Sequence, residues 1–329
     1  AGSPPYPAAW PVSGRFGLPD PPEGCPAFLF LSRLSKRIAF FGKFVYNECN
    51  TNAQEESEMS SDQKFAYSEW SWGIDSRDCL KNAASDLAQA GFHNIELVRD
   101  FVNLYQNDEA EFHALMKHYD MTAFSFYFML QPDPMWDVQD MYEKIDFIAR
   151  AGAKGLVIQG IWDSTPANEE DLTRQLQAIT AFADTAKQYD MTVTIHPHHN
   201  TKLMYESDLA FILNNTDPDT VGLCPDFAHL CAARIDPVRF TEKYVGRIYA
   251  THFKDMADAA FYLTDEYDIT QAPYANFREL GKGSIDLCRI IEILKQNGYR
   301  GYQCVELDSS PTTNLESAKV NYDFLKQNW

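Results

Sequence analysis

Histidine is scarce in this chain, eight in 329 residues, yet three fall within four positions of the stretch TVTIHPHHNTKL: His196, His198 and His199. The run before them has strand character, and residues two apart on a strand share a face, which groups Thr194, His196 and His198 at its C-terminal end. Three later runs end in a similar way. GLCPDFAHL carries Asp226 at its end and His229 just beyond, YATHFKD puts His252 and Lys254 on one face, and YQCVELD does so for Cys304, Glu306 and Asp308. If these runs are successive parallel strands, His196, Asp226, His252 and Glu306 stand at equivalent heights and converge on one point. Two imidazoles and two carboxylates suit one divalent cation, with Mn²⁺ or Co²⁺ favoured and Mg²⁺ or Zn²⁺ admissible. Any one of the four alone would be an ordinary polar strand end; four at matched positions make a metal site the better reading. His198 and His199 then become pocket residues, whose ring N–H groups bind a substrate oxygen or orient a ligand. Lys254 joins the site through the face it shares with His252. His93, His113 and His118 lie on helices or before a strand and read as structural or surface residues.

The elements that must position these residues form a regular pattern. Eight short β-rich runs begin at Phe65, Asn94, Thr122, Gly155, Thr192, Val221, Tyr249 and Tyr302. Between them lie amphipathic segments with Ser, Asn or acidic starts and Gly ends, the usual asymmetry of helix caps. One opens with Ser76 and closes with Gly91; another ends at Gly298. Strict alternation of strand and helix implies parallel strands with crossover helices. Eight such units in about 250 residues is the size of an α/β (β/α)8 TIM barrel, whose chemistry sits where strands end and loops begin. A doubly wound open sheet is the competitor, but no GxGxxG follows the first strand. Trp70, Trp72, Phe126, Gln159 and Trp162 lie near strand ends. Aromatic faces suit the C–H patches of sugars, although core packing is their commoner use; Trp70, Gln159 and Trp162 are read as substrate contacts. The longest interval runs 53 residues from Tyr249 to Tyr302, and its MADAAFYLTDEYDITQAPYANFRELGKG is a candidate lid.

Residues 1–58 are Pro- and Gly-rich, then polar and acidic, without a period that supports a core. They read as a disordered or loosely packed extension, or as translated leader sequence, with the barrel domain spanning 59–329 from the first methionine, Met59. The apolar stretch AFLFLSRLSKRIAFFGKFV is broken by Arg33, Lys36, Arg37 and Lys43, and no run of about 18 uncharged apolar residues appears. A net charge of −19 repels phosphate backbones and anionic lipid, which makes nucleic acid and membranes poor partners. Seven cysteines without a CxxC pair read as reduced thiols, and the expected location is the cytoplasm.

On its strand-end residues the chain from Met59 to Trp329 resembles the xylose isomerase-like TIM barrel superfamily, the sugar isomerase/epimerase group. CPDFAHL is similar to that group's Asp-x-x-His after strand six, and THFKD to its His-x-Lys-Asp on strand seven. GKGSIDL matches its Gly-x-Gly-x-Ile-Asp loop, VELD its strand-eight glutamate, and NIELV its strand-two Ile-Glu-Leu, which places Glu96 among the substrate-binding residues. One departure matters: many members, tagatose epimerase among them, carry a metal-binding glutamate where this chain has His196. That puts simple epimerisation in doubt, because the epimerases pair two glutamates on opposite faces of the substrate. A histidine cluster on this strand looks more like inosose dehydratase, a lyase of the group; dehydroshikimate dehydratase keeps the glutamate.

The resemblance implies a small polyhydroxylated carbonyl substrate, proton abstraction next to the carbonyl by Glu306 or His229, and oxyanion stabilisation by Lys254. The expected activity is therefore a divalent-metal-dependent isomerase or epimerase acting on a keto-sugar or keto-cyclitol. An inosose dehydratase-like carbon–oxygen lyase is the alternative, and a non-catalytic sugar-binding barrel is the alternative of another class. A homo-oligomer is implied by the resemblance alone. DNA-repair endonucleases of the same superfamily are disfavoured, since strands two and three hold none of the extra histidines their metal cluster needs.

Overall fold

Each β-rich run contains a strand in the computed structural model, which describes residues 64–329. They are β1 Phe65–Ser68, β2 Asn94–Val98, β3 Thr122–Met129, β4 Gly155–Gln159, β5 Thr192–His196, β6 Val221–Leu223 and β7 Thr251–Phe253. Two short strands follow, β8 Asp255–Met256 and β9 Phe277–Arg278, paired antiparallel, before β10 Gln303–Val305 completes the set. The eight-stranded sheet runs β6-β5-β4-β3-β2-β1-β10-β7 and is parallel throughout. This is the expected (β/α)8 barrel, laddered everywhere except between β6 and β7. There two isolated bridges, Leu223 with Ile248 and Asp226 with His252, close the ring. Pro225 accounts for the interrupted ladder: it has no N–H to donate, while its carbonyl accepts from the His252 N–H at 2.9 Å. The extension at residues 1–58, its boundary at Met59, and Cys25 and Cys49 lie outside the described residues.

The barrel lumen is filled in layers. Ala66, Phe124 and Cys304 pack with Tyr302 near the strand beginnings, and Val98, Tyr127, Val157 and Cys224 pack near the ends. The outer strand faces and the helices share the main core. Helix Arg77–Ala90 is capped by Ser76, whose hydroxyl accepts from the Cys79 N–H, and is stopped by Gly91 at φ 105°. A Cβ at Gly91 would come within 2.8 Å of the Tyr322 ring, so the close helix contact needs glycine as well as the turn. Asn168 and Asp171 form a reciprocal capping box that opens helix Glu169–Ala186. The sequence pattern did not delimit helices Asp100–Tyr105, Glu206–Asn214 or Phe227–Ala232. Of the softer aromatic candidates, Phe126 faces the outer core, and Trp72 packs against that core while donating to Asp86. Among the described residues no helix is long and apolar enough to cross a membrane, and the five described cysteines are free thiols.

Candidate active site

Four strand ends deliver the donor set. His196 is the last residue of β5, His252 lies in the middle of β7, and Glu306 follows β10. Asp226 caps helix Phe227–Ala232: the Ala228 and His229 N–H groups both donate to its Oδ1 at 2.9 Å. That cap fixes the carboxyl and leaves Oδ2 for the site. One ligand atom from each of the four lies within 4.8 Å of the others, and all four residues are buried. Asp226 Oδ2, Glu306 Oε2 and both ring nitrogens of His196 and of His252 lack a hydrogen bond. A buried polar atom without a partner costs about 1–3 kcal/mol, a cost that falls on the two His196 nitrogens, while Asp226 Oδ2, Glu306 Oε2 and the His252 ring meet charged neighbours in ion pairs. A divalent cation fits this donor set.

Lys254 neighbours the set and shares both of its carboxylates. Its Nζ lies 2.8 Å from Glu306 Oε1, 2.9 Å from Asp308 Oδ2 and 3.3 Å from Asp226 Oδ2, over the Phe277 ring. The ammonium therefore takes one Glu306 oxygen and leaves Oε2. His252 Nδ1 approaches that Oε2 at 2.6 Å, and Nε2 approaches Glu96 Oε1 at 2.8 Å, both without hydrogen-bond alignment. Burial alone would raise the Glu306 carboxyl, but Lys254 and His252 hold it well below the usual carboxylate range. Burial likewise works against the charged forms of His252 and Lys254. Cys224, Glu96 and Glu306 overcome it at His252, and Asp226, Asp308 and Glu306 overcome it at Lys254, so both are raised. Asp226 is pushed up to about 6 by burial, against the pull of Lys254.

The opposite wall is made of neutral rings. His198 and His229 lie 3.7 Å apart between centroids with their planes tilted by 35°, and His196 is 5.6 Å from His198. Burial pushes His198 down to about 3 and His196 and His229 well below the ordinary histidine value. His229 Nδ1 accepts from the His199 N–H at 3.4 Å, which puts the ring proton on Nε2, and Nε2 has no partner. The 256–283 segment reaches this wall. His199 Nε2–H donates to the Ile269 carbonyl at 2.7 Å, Phe277 lies edge-on to His229, and Tyr274 lies within 6.4 Å of His198, His199 and His229.

The remaining candidates fall at different depths. Gln159 Oε1 accepts from Tyr127 and its amide nitrogen has no partner, as is true of Trp70 Nε1. Trp162 is 56% exposed, with its ring 5.1 Å from His198. His199 points to the 256–283 segment rather than to the donor set, and Glu96 points to His252. Residues without an assigned role in the sequence also enter: Tyr127, stacked on His252 at 6.0 Å, and the buried Glu69, whose Oε1 accepts from the Val98 N–H. Tyr127 escapes a simple parity count because β3 shifts register opposite Ile95/Glu96, placing Ser125 across from Glu96.

The sequence model of one family, described as xylose isomerase-like TIM barrel, matches residues 84–328. Over 257 residues the chain is 24% identical to the inosose dehydratase of Clostridium tetani, covering 72% of this chain and 85% of that one. A xylose isomerase-like TIM barrel protein from Mycobacterium smegmatis, solved in complex with magnesium, superposes with TM-score 0.65 at 16% identity, covering 82% of this chain and 98% of that one. The IolI protein, solved with a bound zinc atom, gives TM-score 0.64 at 17% identity, covering 81% and 99%.

Proposed function

The chain belongs to the xylose isomerase-like TIM barrel family, and from that premise we propose that it is a divalent-metal-dependent dehydratase. Its substrate would be a keto-cyclitol or keto-sugar that loses a proton next to the carbonyl and then a β-hydroxyl. The observation that carries this reading is the asymmetry of the two walls: one carboxylate base, Glu306, faces neutral imidazoles instead of a second glutamate. The inosose dehydratases among its relatives support the same choice.

His196, Asp226, His252 and Glu306 would hold the cation, which supplies Lewis acidity to a carbonyl oxygen and its neighbouring hydroxyl. Glu306, kept ionised by Lys254 and His252, takes the proton from carbon. Lys254 Nζ, already beside Glu306 and Asp308, opposes the negative charge that develops on oxygen. His229 offers its Nε2–H as a hydrogen bond to the departing hydroxyl, which takes up the proton held by Glu306 and leaves as water when the C–O bond breaks, so that both residues end as they began. Trp162 and Tyr274 supply apolar faces at the rim, and Gln159 and Trp70 supply N–H donors for hydroxyl groups.

An isomerase or epimerase, which the sequence reading put first, shares every step up to removal of the proton. In that second reading the proton held by Glu306 returns to carbon instead of to oxygen. The test is metal content followed by product mass. The purified protein should hold one equivalent of Mn²⁺ or Co²⁺, and an Asp226→Ala/Glu306→Ala variant none. The loaded enzyme should convert an inosose to a product lighter by one water. A product of unchanged mass selects the isomerase; bound metal without turnover across inososes and ketoses selects the non-catalytic barrel.

A further inference from the structure

Beneath the donor set a further carboxylate reaches one of its members. Glu96, 1% exposed on β2, brings Oε1 within 2.8 Å of His252 Nε2, and neither atom has a hydrogen bond elsewhere. The other oxygen, Oε2, accepts from the Ser125 hydroxyl, which the register shift of β3 sets opposite Glu96. Val98, two residues further along the same face, packs with Tyr127 in the layer above. Glu96 therefore sits a layer deeper than a substrate contact would.

An imidazole has two nitrogens, and the partner of one decides what the other can do. In a ring that ligates a cation, a carboxylate at Nε2 keeps the proton there and leaves the lone pair on Nδ1. That atom faces Glu306 Oε2 at 2.6 Å and the rest of the donor set. We infer that Glu96 is a positioning residue: held by Ser125, it fixes the tautomer and ring direction of His252 so that Nδ1 is the atom offered to the cation. The inference rests on the divalent-cation reading of the site. A carboxylate behind a ligating histidine raises ligand basicity and removes a rotational freedom that binding would otherwise have to freeze.

The test is cation affinity, measured by competition with a chromophoric chelator on the full chain, beside the thermal melt and KM at saturating Mn²⁺. Glu96→Ala should weaken Mn²⁺ binding about 10- to 100-fold with little change in KM. Glu96→Gln, which keeps an acceptor oxygen at the same reach, should recover most of that loss, and Ser125→Ala should show a smaller one. If Glu96→Ala loses its cooperative melt, Glu96→Asp decides: it retains the charge one methylene short, and the same weakening is expected. Parent-like affinity in whichever of these two variants keeps its melt overturns the role of Glu96 and leaves the cation site standing. A raised KM at unchanged affinity makes Glu96 a substrate contact instead. A parent that takes up no Mn²⁺ removes the site and the inference together.

Discussion

On the β7–β10 side of the site, Lys254 lies among three carboxylates, Asp226, Glu306 and Asp308, and His252 lies between Glu306 and Glu96. On the β5–β6 side, His196, His198 and His229 stand ring against ring. Burial is nearly complete on both sides, so burial does not explain why His252 is raised and His198 is held at about 3. The neighbours explain it. Carboxylates beside His252 repay the cost of a buried charge, whereas His198 and His229 face other imidazoles and aromatic rings and feel the charge of Lys254 as well. One wall is prepared to hold and balance charge, the other to stay neutral while offering an N–H.

The largest expected effect comes from the charged wall. Glu306→Gln should lower kcat by about 10²–10⁴-fold, the range for a positioned acid–base group, and should weaken cation binding as well. Steady-state kinetics beside metal titration read both; unchanged turnover would take Glu306 out of the chemistry. A smaller effect separates the walls. His229→Asn should lower kcat by about 10²-fold while cation affinity stays at the parent value. A parallel fall in affinity would mean the two walls act as one unit. The smallest effect is on pH dependence. In the cation-free protein Asp226 is raised to about 6, so it is largely protonated at pH 5 and ionised at pH 8. The cation must displace that proton and also the one that Cys224, Glu96 and Glu306 hold on His252, so its affinity should already fall with pH above 6 and fall about tenfold per unit more steeply below it. His196, held well below the ordinary histidine value, should add no step near 6.5. A loss that begins only below pH 6 would show His252 neutral in the cation-free protein.

The strand count and the convergence of the four strand-end residues were legible because both follow from local pattern. Parity along a strand decides which side chains share a face, and PD, THF and VE mark strand ends in sequence alone. Glu96 was found for a reason that does not describe its place. Its partner His252 belongs to a strand three places around the barrel, with β1 and β10 between them. A face and a height can be read from sequence; the partner across a lumen depends on how the whole ring closes. Tyr127 and Ser125 were hidden by the register shift in β3, which breaks the alternation the reading relies on. His199 was placed in the pocket by its neighbours in sequence, yet its ring turns to the Ile269 carbonyl, 70 residues away. The long interval after β7 signalled its position over the site only by its length.

The join between β6 and β7 has a mechanical consequence. Seven of the eight strand junctions are laddered, and the eighth is stitched by two bridges, one of them between Asp226 and His252. Those two residues are also neighbours in the donor set. A cation shared by them would act as a rivet across the weakest stave joint of the barrel. A ligand held only by the native state adds RT ln(1 + [L]/Kd) to its stability. A chelator should therefore loosen the hoop itself, with amide exchange quickening first along 221–226 and 248–253 while β2 to β5 stay tight.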